Sequence, residues 1–499
     1  MKKNLIYISM IAAGVMMMAG CAKESIPETA QTGEITLSAS LPSQTKTAVD
    51  GTLNTKVNWT SGDKISIWGG ENYEFTLSAG AGAVKGTFSG TMTTGAAEYA
   101  LYPYSETASN DAGVITTSVP SVQTATAGSF DPAAAIMVGT ISSTTITFNH
   151  AVAFLKITAP TEVTNLASIT ITANSGIQLT GDAKFAAADG AFTATGKAYS
   201  SVTVKPNGGT FEASKVYYAA VIPGTYSTGL TISYLYKDGS AHTAVEKSKS
   251  SSTSLTMAAG HTKVISAVDM GSGTVTERNA VQLWENGPYW AEFNVGATIT
   301  NYGSLTVGAD ATPWRTPDAT LQAIYNTANC GGLYPWHNST LNGRTTPFDG
   351  SVTTGIHDVA TALWGGIWRE PTASQLQTLV YGDTSTTLGL VWTWCDGSTT
   401  KYCDGCTLAG YKVSGKVGTA YESNGIFLPA EGYFDYRGGV VGSADYDGAL
   451  SGVGESGGCW ASKAYGSDYA YCLSLQSDHH YLSIHYHGDG KSVRAVLVD

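Results

Sequence analysis

The first half of the chain is dominated by alternation of apolar and polar residues. It shows in Glu34-Ile35-Thr36-Leu37-Ser38-Ala39, Lys64-Ile65-Ser66-Ile67-Trp68, Thr144-Thr145-Ile146-Thr147-Phe148, Ser168-Ile169-Thr170-Ile171-Thr172 and Leu230-Thr231-Ile232-Ser233-Tyr234. A period of two, rich in Ile and Thr and interrupted by turn clusters, predicts half-buried strands. Long helical periods are missing between residues 34 and 268, and strands in such succession predict two β-sandwich lobes. Beyond residue 279 the pattern changes. One helix is predicted to begin at Trp314-Arg315-Thr316-Pro317, with Leu321, Ile324 and Tyr325 as its apolar side. Another is predicted at Trp368-Arg369-Glu370-Pro371-Thr372, where Thr372 and Gln375 have capping-box spacing and Leu376 and Leu379 form the stripe. Strands punctuated by glycine follow around residues 410–413, 426–432, 459–462, 471–475 and 492–496, so the second half reads as α+β.

Composition divides the chain at the same place. Between Glu34 and Val268 there is no cysteine or arginine, and the only tryptophans are Trp59 and Trp68, whereas nine of the eleven tryptophans lie beyond residue 279. The predicted organisation is a signal peptide over 1–20, a tether over 21–33, sandwich lobes over 34–158 and 159–268, a short polar linker over 269–278 and a last domain over 279–499. Charged residues are only 13% of the 499, about half the usual ~25%, and the net charge is −12. That balance argues against a nucleic-acid partner, because phosphate binding rests on Lys and Arg.

At the N-terminus, Lys2-Lys3 precede an uncharged stretch from residue 5 to 20, which ends in Met18-Ala19-Gly20-Cys21. This is the layout of a secretory signal peptide. Its ending resembles a bacterial lipobox, which implies lipidation of Cys21 and anchoring to a membrane. Lys23-Glu24 resembles in part the signal that sends Bacteroidota lipoproteins to the cell surface.

Five ordered segments carry a wider resemblance: Val57-Asn58-Trp59-Thr60-Ser61-Gly62-Asp63, Tyr99-Ala100-Leu101-Tyr102-Pro103-Tyr104, Phe148-Asn149-His150-Ala151-Val152-Ala153-Phe154, Tyr217-Tyr218-Ala219-Ala220-Val221-Ile222-Pro223-Gly224 and Ala259-Gly260-His261. Over roughly residues 34–268 the chain resembles the fimbrillin family of Bacteroidota, lipoprotein pilins of two β-sandwich lobes. The resemblance implies removal of an N-terminal strand by a trypsin-like protease and its replacement by a strand from a neighbouring subunit. Lys46 is the candidate cleavage residue. The implied partners are other fimbrial subunits, and the implied location is the outer membrane and its fimbriae.

Residues 284–498 resemble a second family. Trp368-Arg369-Glu370-Pro371, Ile426-Phe427-Leu428-Pro429-Ala430-Glu431-Gly432, Cys459-Trp460-Ala461-Ser462 and Ser492-Val493-Arg494 are similar to segments of the Fibrobacter succinogenes major paralogous domain, which implies a C-type-lectin-like fold. Cys459 and Ala461 stand where that family has Tyr and Ser, and no established active site comes with the resemblance.

The candidate chemistry lies in this half. Tyr433, Asp435, Tyr436, Arg437, Asp445, Tyr446 and Asp447, with Trp460, offer aromatic faces and hydrogen-bonding groups of the kind that hold sugars. No resident cofactor is expected, although calcium or another divalent cation would suit such carboxylates. His485 and His487 are two apart on a predicted strand, so they share a face and with His480 form a candidate metal set, while Leu482, Ile484 and Tyr486 are expected to point into the core. Six cysteines in an exported domain read first as disulfides, with Cys459 and Cys472 the favoured pair and Cys330, Cys395, Cys403 and Cys406 unassigned. Cys403-Asp404-Gly405-Cys406 also has the spacing of a redox pair or half a zinc site. No catalytic motif stands out, and a pilin-like half followed by a lectin-like half makes a non-enzymatic fimbrial tip or accessory adhesin the expectation. A free surface lipoprotein that binds glycan and a carbohydrate-active enzyme are the alternatives.

Overall fold

The computed structural model describes residues 33–42, 58–174, 177–265, 268, 270, 276–297, 333–334, 336, 358–364, 367–434 and 450–497. Among these the molecule is mostly β. Cys21 and Lys46 lie outside them, as do the signal segment, the helix expected at Trp314, and Cys330. No described helix is long and apolar enough to cross a membrane.

Where a first sandwich was expected, seven strands close into a barrel. Their order is Gly33–Ser40, Thr145–His150, Met137–Ser142, Tyr99–Tyr102, Lys64–Trp68, Asn72–Ala79, Lys85–Met92 and back to the start. Closure abolishes the sheet edges that a sandwich leaves open. The Gly33–Ser40 strand completes it, running antiparallel to Lys85–Met92 over eight residue pairs and parallel to Thr145–His150 over three. Its alternation is realised: Ile35, Leu37 and Ala39 are buried while Glu34, Thr36 and Ser38 are exposed. Inside, the Trp59 indole meets Phe88 and Tyr102 edge-on at 4.9 and 5.3 Å between ring centroids. A cavity of about 370 Å³ lies beside this cluster, lined in part by Trp59, Tyr102, Phe130, His150 and Phe154.

The second lobe is not built from its own segment alone. Val114–Val119 pairs with Thr180–Ala186, and Val122–Ala125 runs parallel to Ser201–Pro206, so an excursion from the first lobe supplies strands to the second. Gln123 secures this crossing. Its buried amide donates to Ala220 O at 2.7 Å and accepts from Ala220 N at 2.8 Å, doing for that residue what a neighbouring strand would do.

A nine-stranded sheet then joins the second lobe to the last region, in the order Trp368–Arg369, Val496–Leu497, Tyr289–Ala291, Thr276–Gln282, Thr243–Ser250, Leu230–Asp238, Leu166–Ala173, Ser201–Pro206 and Val122–Ala125. Residues 276–278, expected at the end of a linker, begin the Thr276–Gln282 strand, which is paired on both sides. Glu246, 1% exposed, marks the junction: its Oε2 accepts from Trp368 Nε1 at 2.6 Å and from Arg278 Nη1 at 3.2 Å.

Beyond this sheet the described helices are Val359–Trp364 and Ala373–Val380. The second has the predicted capping box, with the Thr372 hydroxyl accepting from Gln375 N and the Gln375 side chain accepting from Thr372 N. Leu376 and Leu379 are fully buried, as their spacing required. The other elements here are strands joined by turns and irregular stretches, chiefly the sheets Val391–Cys395, Gly410–Ser414, Gly425–Pro429 and Ser456–Tyr465, Tyr469–Gln476, His479–Tyr486. Helix is thus a smaller part of the described residues here than the expected α+β, lectin-like arrangement would give. Arg494, from the Ser-Val-Arg segment, is fully buried, and its guanidinium donates to Ala291 O, Glu292 O and Phe427 O. Three carbonyls solvate a charge that would otherwise be costly to bury.

Candidate functional site

Glu431–Phe434 and Leu450–Val453 form an antiparallel pair that brackets the acidic and aromatic stretch singled out above. Asp435, Tyr436, Arg437, Asp445, Tyr446 and Asp447 lie outside the described residues. Tyr433 is described: its half-buried ring carries the Lys491 Nζ 4.5 Å from its centroid and faces the His485 ring at 6.5 Å. Trp460 does not join it. Its side chain is fully buried and donates to Tyr334 O at 2.7 Å, so no face is open to a sugar.

The three candidate metal histidines are held by three different sets of neighbours. His480 stacks on Trp392 with ring centroids 3.8 Å apart, and its Nε2 is 3.3 Å from Val380 O and 3.4 Å from Asp383 Oδ2. Burial lowers its pKa against the partial compensation from Asp383. His487 is buried and stacked on Trp336 at 4.4 Å. His485 Nδ1 is 3.0 Å from Asp489 Oδ2. Among the described residues no group of three or more His, Cys, Asp or Glu is placed to hold a metal ion.

The facing of this strand also differs from expectation. Leu482 packs against a core as expected, but Ile484 and Tyr486 are exposed, while His485 points inward across the sheet. The register explains it. His485 opposes Ala470, and Cys472 and Ser474 lie on the same face of the neighbouring strand, packed towards the core that contains Trp460. His485 Nε2 is 3.4 Å from Ser474 Oγ, whose own neighbour is the Cys472 thiol at 3.7 Å. Burial alone would lower the His485 pKa, but the Asp489 hydrogen bond and the Cys472 contact outweigh it, and the value is raised. Asp489, Ser474 and Lys491 had not been singled out from sequence. The available signal was the His485-x-x-x-Asp489 spacing across the Gly488–Gly490 turn.

The favoured disulfide is overturned by the same register. Cys459 opposes Leu473 and Cys472 opposes Trp460, a one-residue offset that sends the two sulfurs to opposite faces of the sheet. They belong to different cores and both are free thiols. Cys395, Cys403 and Cys406 are free as well. Burial pushes the thiol pKa of Cys406 up to about 11 and that of Cys459 up to about 12. Reactive redox pairs require the opposite shift.

Comparison with known proteins adds little. No family model and no curated protein matches the chain. Among solved structures, a candidate cell adhesion protein from Bacteroides ovatus is similar at 14% identity and a TM-score of 0.29, over 46% of this chain and 90% of that one.

Proposed function

We propose that this protein is a cell-surface fimbrial tip or accessory adhesin, assembled by β-strand addition, with its last region presenting a ligand-binding surface. The observation that carries the reading is the Gly33–Ser40 strand. It closes the barrel at the N-terminal end of the described chain, and three alternate side chains fill the core along it. Withdrawal of such a strand leaves two unpaired ladders and a row of side-chain pockets, the receiving half of a strand-addition joint. The chain leaving the second lobe is the counterpart. It enters the nine-stranded sheet as Thr276–Gln282, paired on both sides, and so is not free to be passed to a neighbour. A subunit that receives and does not donate belongs at a fibre end. In this reading Cys21 carries the lipid that holds unprocessed protein to the outer membrane, Lys46 is the processing residue, and the ligand is a glycan or protein.

The test uses the full chain, nicked by trypsin after Lys46, and a fluorescent peptide of residues 33–41. The peptide is expected to bind nicked protein and not intact protein, and a peptide carrying Leu37→Asp is expected to fail. Failure of the first peptide to bind would remove the receiving groove. Immunogold labelling on the producing cells is expected at fibre ends. Gold along shafts would overturn the end position, and gold only on the cell surface would favour the free lipoprotein.

A further inference from the structure

We infer that Ser474, His485 and Asp489 form a hydrolytic triad acting on small carboxylic esters, a reading independent of strand addition. The three groups stand in the order that such chemistry needs. Asp489, 3% exposed, is 3.0 Å from His485 Nδ1 and fixes the imidazole with its Nε2 towards Ser474 Oγ, 3.4 Å away. A nucleophile within reach of a base that a third group orients is the general signature of covalent catalysis, and unliganded sites often show the nucleophile contact slightly long. The triad spans two adjacent strands and the turn that follows them, so the sheet itself sets its spacing. Lys491 sits beside it, 2% exposed, with its ammonium over the Tyr433 ring. Its charge, which acts on His485, is assigned to a developing oxyanion.

Ser474 is only 6% exposed, so the proposed substrate is confined to a small acyl group such as acetyl. In the first half-reaction the Ser474 Oγ proton passes to His485 Nε2 while Oγ bonds to the ester carbonyl carbon. The carbon–alkoxy bond then breaks, and the alcohol leaves with the proton from Nε2. Water attacks the acyl-serine, giving its proton to Nε2. The acyl–Oγ bond breaks and Oγ recovers that proton, so ester and water become acid and alcohol.

The full-length protein is treated with a fluorophosphonate probe, and hydrolysis of p-nitrophenyl acetate is followed separately. The expected result is a single adduct on Ser474 and a loss of about 100-fold in hydrolysis for Ser474→Ala and for His485→Gln. Cys472→Ala separates the neighbouring thiol. Loss of hydrolysis in that variant with Ser474→Ala unaffected would overturn the assignment. Absence of an adduct on the wild-type protein would do so too, and that readout needs no variant to fold.

Discussion

Replacing Glu246 by alanine should uncouple the last region from the second lobe. The carboxylate is 1% exposed and accepts two hydrogen bonds through one oxygen, from the fully buried Trp368 indole and from Arg278. Arg278 also lies over the Trp364 ring, 5.0 Å from its centroid, and Trp364 meets Trp368 edge-on at 5.3 Å. Loss of the acceptor removes the hydrogen bond from this buried N–H, at a cost of about 1–3 kcal/mol. The Arg278 side chain is 20% exposed and regains some water, so its contribution falls short of the ~3–5 kcal/mol for breaking a fully buried pair. We expect a total of about 3 kcal/mol, roughly a hundredfold in the folding equilibrium of the junction. Urea unfolding followed by tryptophan fluorescence, with hydrogen exchange in Thr243–Ser250 and Thr276–Gln282, measures it. The wild type should unfold these strands together, and the variant should open Thr276–Gln282 first. Trp368→Phe removes the same donor, so the double mutant should cost about 1–3 kcal/mol less than the sum of the singles. Additive singles, or a loss below about 1 kcal/mol for Glu246→Ala, would show that the junction rests on sheet pairing alone.

Two further outcomes follow from burial and register. Burial pulls the His150 pKa down from 6.5 to about 4, so the unfolded chain binds a proton there that the fold refuses. The barrel should therefore keep its full stability above pH 6.5 and lose about 3 kcal/mol as pH falls to 4, and His150→Gln should flatten that slope in urea titrations at each pH. Mass spectrometry of protein purified without reductant and digested under denaturing, alkylating conditions should show Cys459 and Cys472 each carrying the alkyl group. A peptide linking them would contradict the register of their strands.

Much of the fold is written locally. The alternation from Glu34 to Ala39 places Ile35, Leu37 and Ala39 inside because a strand sends successive side chains to opposite faces. Thr372 and Gln375 start their helix because a capping box satisfies its own backbone donors within four residues. Such interactions span a few positions, so sequence by itself determined them. It could not decide which strands pair, or in which register. Whether seven strands close into a barrel depends on residues more than a hundred positions apart, such as Ser38 beside Thr145. The candidate site followed the same rule. A one-residue offset parted Cys459 from Cys472, buried Trp460 and turned His485 inward to meet Ser474. Because side chains alternate with a period of two, register decides which of them meet, and register is set only when the whole sheet has packed.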